Sequence, residues 1–295
     1  MILLWCSAAV AGVPLVYDGG GVDEVVAFAV DRTGLPASQF DPVALDSLLT
    51  LPPRTLGPAT LRACAGAPTR AADLAGNAVR AEARWRDQDA QGAMDQLDLG
   101  IASVGCLGDR VEPDVVSGLF LLRGGLLAAA GDLEGARAEV RTALSLAPAA
   151  AWGASLPEEG RAIFDAVRAE TATVLLTVSP ATGGARPAVD GKTAPEEPVP
   201  LRSGLHLVQL PSTSGLRSAW LTVAGDATLV LPGSYRRPVL ERMSDEAARV
   251  DVERLLLATS NGGPVYVTSQ GGLWLVSAEG TTTLGAPTVP TKGRR

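Results

Sequence analysis

Lysine is almost missing from this sequence: Lys192 and Lys292 are the only two among 295 residues. Histidine occurs once, at His206, cysteine three times, and aromatic residues make up 4%. The net charge is −7. Each scarcity closes a class of function. Without a basic face there is no electrostatic footprint for a nucleic-acid duplex, so nucleic acid is not an expected partner. The basic end, 291–295, reads as a solvated tail. One histidine and widely spaced cysteines leave no ligand set for zinc, and no metal or cofactor is expected. With so few rings, the core has to be built from Ala, Val and Leu. The excess of arginine over lysine reads as the composition of a GC-rich genome. Beyond the first residues no apolar run spans a bilayer. The most apolar helix, 115–131, is too short and is interrupted by Arg123.

What is there begins with MILLWCSAAVAG, which looks like the apolar core of an export signal. Ala9 and Ala11 offer an A-x-A-like cleavage site before Gly12, and 1–11 is assigned as signal peptide. The run is short and lacks a basic flank, so an ordinary buried N-terminal helix is the alternative. Cys6 raises lipidation. Trp5 argues against it, because the residue before a lipidated cysteine is normally small. Removing the signal leaves Cys64 and Cys106, and an even count in an exported chain favours a disulfide. Two buried thiols in a cytosolic protein are the competing reading. The expected location is the periplasm or cell envelope.

Residues 22–33 have helical spacing, and Asp41-Pro42 has the form of a helix start. Proline and glycine punctuate 51–68, which reads as loop with short helical pieces. From 69 to 169 there is almost no strand signal. Apolar residues recur at three and four in stretches near 70–86, 89–104, 113–130, 133–146 and 157–169. Between the third and fourth, Gly131 can end one helix in the left-handed conformation and Asp132 can cap the next. So short a link makes an antiparallel helical hairpin. Small Gly124 and Ala136 allow close approach, with Phe120, Leu127 and Val140 filling the space beside them.

This pattern resembles the tetratricopeptide repeat, a 34-residue helix pair. Counted from Ser117, the motif positions fall on Phe120, Arg123, Gly124, Leu127, Ala136, Val140, Ala143 and Pro148. Arg123 departs, since the family prefers leucine there. Segment 74–107 matches at Ala81, Ala93, Leu97 and Gly100, but has polar Asn77 and Arg84 where large apolar groups belong. The resemblance covers roughly 70 to 150. It implies a concave groove walled by the first helix of each pair, of the kind that binds peptides or partner proteins. Asn77, Arg80, Arg84, Arg123 and Leu127 are the groove-wall residues it suggests.

Beyond Glu170 the character changes to β-branched runs, beginning at 171–178, broken by Gly, Pro and Asp-Gly turns. The stretch resembles a PEGA domain, a small β-sandwich, at Pro180, Gly184-Ala185, Val189-Asp190-Gly191, Pro195, Leu201, Gly204, His206 and Val208. A further hairpin is expected across Ala224-Gly225-Asp226, a helix over 244–258 capped by Ser244, and a final hairpin over 263–276.

No constellation for a reaction emerges. His206 sits where the PEGA-like pattern carries a strand histidine, and reads as structural rather than as part of a triad. Asp87, Asp89, Asp95 and Asp98 are spaced like a solvated helix face. The glycine stretches 18–21 and 260–264 lack the Gly-Lys-Ser/Thr continuation of a phosphate loop and read as linker or turn. Trp152 reads as a plug between the repeat and helix 157–169.

The expected fold class is therefore a multidomain α+β chain. A TPR-like helical domain (12–170) is followed by a PEGA-like β-sandwich (171–232), a helix plus β-hairpin (233–278) and a disordered tail (279–295). The expected function is non-enzymatic: protein–protein interaction or scaffolding in the bacterial cell envelope. The alternative is a cell-wall or polysaccharide-binding module, with Trp220, Trp274 and Tyr266 as candidate exposed aromatics.

Overall fold

The computed structural model describes residues 12–180, 186–212, 215–235, 239–269 and 271–285. The expected signal peptide and residues 286–295 of the expected tail lie outside them. The chain is a mixture of helices and strands arranged in three sheets. Its first part runs β1 (Val13–Tyr17), α1 (Val22–Thr33), β2 (Phe40–Ala44), α2 (Leu45–Leu49), β3 (Arg54–Leu56) and β4 (Ala59–Ala63). Five helices follow: α3 (Ala71–Arg86), α4 (Ala90–Val104), α5 (Pro113–Ala129), α6 (Leu133–Leu146) and α7 (Arg161–Arg168). Next come β5 (Thr173–Ser179), β6 (Ala188–Val189), β7 (Lys192–Thr193), β8 (Val199–Arg202), β9 (Gly204–Ser212), β10 (Gly215–Val223) and β11 (Ala227–Val230). The chain closes with α8 (Glu246–Thr259), β12 (Val265–Ser269), β13 (Gly272–Ser277) and β14 (Gly280–Gly285).

Two compact units form, and neither is continuous. One gathers Met1–Leu56, Ser179–Gly184 and Leu229–Arg295; the other gathers Gly57–Val178 and Ala185–Thr228. The expectation of one helical domain over 12–170 is thereby corrected. Residues 13–17 and 40–44 are strands of a five-stranded sheet of order β14-β13-β12-β1-β2. Central β1 is parallel to both β2 and β12, while β12, β13 and β14 are antiparallel neighbours. Leu15 and Val16 are both fully buried, and they belong to different apolar clusters. Leu15 groups with Ala29 of α1 and Phe40, and Val16 with Val252, Leu255 and Leu256 of α8. A strand covered on both faces reads as a continuous apolar run without alternation, so periodicity did not reveal it.

Other boundaries move for similar reasons. Asp41-Pro42 lies in β2 rather than at a helix start, and Pro42 is tolerated because β2 is an edge strand. Helix α2 starts only at Leu45, without a side-chain cap. Segment 51–68 holds β3 and β4 instead of helical pieces. Helix α8 is capped by Asp245, whose carboxylate accepts from the Ala248 N–H, while the Ser244 hydroxyl donates back to Glu241 O. Residues 280–285 are strand β14, not tail. Strands β10 and β11 belong to different sheets, so no hairpin forms across 224–226.

The second unit joins two helical hairpins to a sheet of order β4-β10-β9-β6-β7. In the α5–α6 link Gly131 has φ +85°, and the Asp132 carboxylate accepts from the Gly135 N–H at 2.9 Å. A Cβ at Gly124 would meet Val140 Cγ2 at 3.1 Å and Ala136 O at 3.2 Å, so α5 and α6 touch there backbone to backbone. The α3–α4 link repeats the device. Asp89 caps α4 by accepting from the Gly92 N–H at 2.9 Å, after Gln88 at φ +63°.

Helices and sheet share one core. Leu207 and Trp220 lie in the same buried cluster as Leu119, Leu144 and Phe164. Phe120 and Trp220 meet edge to face, with ring centroids 6.1 Å apart. Segment 171–232 is therefore no self-contained sandwich. Its larger sheet borrows β4 from before the helices, with Ala219 opposite Ala63, and its inner residues complete the helical core. A disulfide joins Cys64, just after β4, to Cys106, just after α4. Thr69 N–H donates to Cys106 O at 2.9 Å alongside it.

The bond spans 42 residues and encloses all of α3 and α4. Loop-closure entropy gives such a crosslink about 4 kcal/mol. Replacing both cysteines with serine should lower the unfolding free energy by about 2–4 kcal/mol in urea titrations of the oxidised protein. The helix contact makes a second expectation. Gly124→Val should cost about 1–3 kcal/mol through overpacking. Gly118→Ala, at a helical glycine with nothing within 4 Å of the added carbon, should stabilise by about 0.5–1 kcal/mol. Thermal denaturation of the two variants compares them.

Candidate functional site

A groove of about 520 Å³ opens on the helical face of the second unit. Helix α5 forms its floor through Leu119, Leu121 and Leu122, joined by Leu97 of α4. One wall is α3, with Ala75, Ala78, Val79 and Glu82, and the other is the stretch after α6, with Ala149–Ala151 and Leu156. The sequence accounts for this opening. Alanine, glycine and serine at positions 75, 78, 118, 149–151, 153 and 155 fill little space, so the leucines below stay within reach. Val79 is 68% exposed, the largest exposure of any large apolar residue described.

Both charged lining residues are acidic, Glu82 and Asp114. Glu82 pairs with Arg86 one turn along α3 at 2.9 Å. Ser117 lines the groove but is engaged, its hydroxyl donating to Ala143 O at 3.0 Å. The far wall is braced from behind by Trp152. This ring is buried, lies 5.5 Å from Phe164 centroid to centroid, and occupies the space a side chain at Gly160 would need.

None of the five expected groove-wall residues lines this groove. Three of them occupy the seam between α3 and α4. The Asn77 Cβ sits against Gly100 of α4, and Arg80 Nε donates to Gln96 Oε1 at 2.9 Å while its terminal nitrogen reaches Asn77 Oδ1. Arg84 pairs with Asp89 at 2.5 Å. Arg123 is a bridge inside the bundle: it contacts Glu139 of α6 at 2.7 Å and Asp98 of α4 at 3.1 Å. Leu127 is half-buried, away from the groove lining. The repeat positions carried over to this chain are those that pack the two helices of a pair together, which places them on the opposite stripe of α3 from Ala75, Ala78 and Val79. The available signal was that opposite stripe, Ala75, Ala78 and Val79 at i, i+3 and i+4.

Most of the remaining candidates for chemistry have structural roles. His206 is fully buried. Its Nε2 lies 2.7 Å from Arg202 O, a group that only accepts, so this nitrogen carries a hydrogen. Its Nδ1 lies 2.7 Å from Asp190 Oδ2, and the other Asp190 oxygen accepts from the Leu207 N–H at 2.9 Å. Burial pushes the Asp190 carboxyl above its ordinary range, against the pull of the imidazole and the Leu207 N–H. The pair locks the Asp190-Gly191 turn, with φ +47° and +73°, onto β9. Asp89, Asp95 and Asp98 cap, pair along, or brace helices. Glycines 19–21 lie at the turn from β1 to α1, beside a smaller cavity of about 230 Å³ at the carboxyl ends of β1 and β12. Residues 260–263 end α8 through Asn261 and Gly262 at φ +53° and +80°. Among the described residues no group of three or more His, Cys, Asp or Glu could hold a metal. No described helix is long and apolar enough to cross a membrane.

Compared with protein-family models, curated proteins and solved structures, the chain matches none.

Arg123 generates the prediction here. Burial raises the Glu139 carboxyl above its ordinary range, and Arg123 opposes that rise. Arg123→Leu supplies the leucine that the repeat motif prefers but strands a half-buried carboxylate. It should cost about 1–3 kcal/mol at pH 7. With Glu139 held higher in the folded than the unfolded state, the folded protein binds more protons. The variant should therefore regain stability as pH falls from 7 toward the raised value, and Arg123→Leu/Glu139→Gln should recover much of the loss. Melting temperatures across that range read both effects.

Proposed function

We propose that this chain is a non-enzymatic interaction or scaffolding protein of the bacterial cell envelope, taking a partner protein in the α3–α5 groove. The observation that carries the reading is the groove itself: a leucine floor kept open by small wall residues, with Val79 projecting into solvent. The small wall residues leave room above the leucines for a partner's side chains. The tetratricopeptide-like spacing over 70–150 supports it, since such repeats present a groove on the face formed by first helices. The export-signal-like start and the Cys64–Cys106 disulfide support an oxidising compartment.

The polysaccharide alternative has less behind it. Trp220 and Trp274 are 8% and 3% exposed, and Tyr266 packs edge to face on Phe40. None offers the open ring face that sugar stacking uses.

A photo-crosslinking residue placed at Val79 in the full chain, expressed in its own cell, should give a discrete adduct with another protein. The same residue at Leu99, which is 60% exposed but outside the groove, should not. Equal labelling from both positions, or none from Val79, would count against the groove.

A further inference from the structure

We propose that the groove's occupant is an amphipathic α-helix with an apolar stripe flanked by lysine or arginine, an inference that rests on the groove being a protein-binding site. Two features of the lining select it. The first is charge: Glu82 and Asp114 are the only ionisable lining residues, no cation lines the groove, and Asp114 carries no ion pair among the described residues. An acidic occupant would bring like charges together across a low-dielectric contact, whereas basic flanks complement them.

The second is hydrogen bonding. An extended peptide needs partners for its own N–H and C=O groups when it leaves water. The floor and the α3 wall offer methyl and isobutyl groups, Ser117 already donates to Ala143 O, and backbone outside a helix enters the lining on one wall, at 149–156, so an extended peptide finds partners along one edge at most. Only Ser155 remains as a neutral polar side chain in the lining. A helix satisfies its backbone internally and presents only side chains. Alanine on both walls and the open space over Gly118 let a helix approach closely, with its larger side chains reaching Leu119 and Leu122.

The test uses the full oxidised chain and three fluorescent peptides of about 18 residues, long enough for five turns. One is helical, with a leucine-alanine stripe bordered by lysines. The second replaces the lysines with glutamates, and the third breaks the lysine peptide with a central proline. Fluorescence anisotropy should show the lysine peptide binding at least about tenfold more tightly than either of the others. Glu82→Gln with Asp114→Asn should shrink the preference over the glutamate peptide. Gly118→Trp, which fills open space rather than packed core, should abolish binding while circular dichroism stays unchanged and the melting temperature does not fall, and Val79→Glu, on an exposed side chain, should weaken it independently. Failure of the lysine peptide to bind, or binding of the glutamate peptide as tight, overturns the proposal. If the proline-broken peptide binds best and Gly118→Trp still blocks it, the helix is wrong while the groove reading survives. If Gly118→Trp blocks nothing and Val79 gives no adduct, both readings fall.

Discussion

Two buried polar side chains hold the second unit together. Ser218 Oγ donates to Leu107 O at 2.7 Å, and Gln209 Nε2 donates to Asp109 O at 2.7 Å. Val111 N–H returns a bond to Gln209 Oε1. The segment between α4 and α5 has no helical partners for these backbone groups; its Leu107 and Val111 are buried, while Asp109 and Arg110 are exposed. Without Ser218 the Leu107 carbonyl would be stranded away from water, at about 1–3 kcal/mol. With both side chains, the start of α5 is fixed on the sheet. Trp220 then fills the space over Gly105 and meets Phe120 of α5. The floor of the groove is thus set by strands that follow it in sequence by about a hundred residues.

The same seam explains how a chain poor in aromatics builds a firm core. Alanine and glycine do the work at close approaches, such as Gly124 against Ala136 and Val140, and a few rings are placed where elements of different kind meet. Trp220 joins helix to sheet, and Trp152 wedges the stretch after α6 against α7. Charged side chains serve the bundle too. Arg123 reaches from α5 to both α4 and α6, a position where a leucine would bind by contact alone. The groove is what remains when small residues that could have packed inward face outward, and the charged residues in its lining, Glu82 and Asp114, are both acidic.

Much of the helical region was legible. Helix starts and stops are local events, decided by one cap or one left-handed residue, so Gly131-Asp132 and the spacing around it located α5 and α6 within a residue or two. The groove was less so. A motif marks residues that must pack, and on α3 the packing stripe and the exposed stripe alternate every few positions. The motif points to Asn77, Arg80 and Arg84, which lie at the α3–α4 seam, while Ala75, Ala78 and Val79 look unremarkable until α5 and the stretch after α6 stand beside them. Strand β1 shows no alternation because it is covered on both faces, and β2, β3 and β4, of three to five residues each, are too short for a period to show.

What the sequence determined by itself is what depends on neighbours along the chain: the helices of 71–168, the Gly131-Asp132 link and cap, the Asp190-Gly191 turn, the acidic charge and the paired cysteines. Tertiary structure alone decided which strands join which sheet, that β1 sits at the centre of a sheet completed by residues 265–285, that β4 crosses to β10, and which face of α3 is left open. The reason is one of range. A cap or turn is chosen by hydrogen bonds within a few residues, whereas a strand's partners and a helix's exposed stripe are fixed only when apolar groups far apart in sequence are buried together.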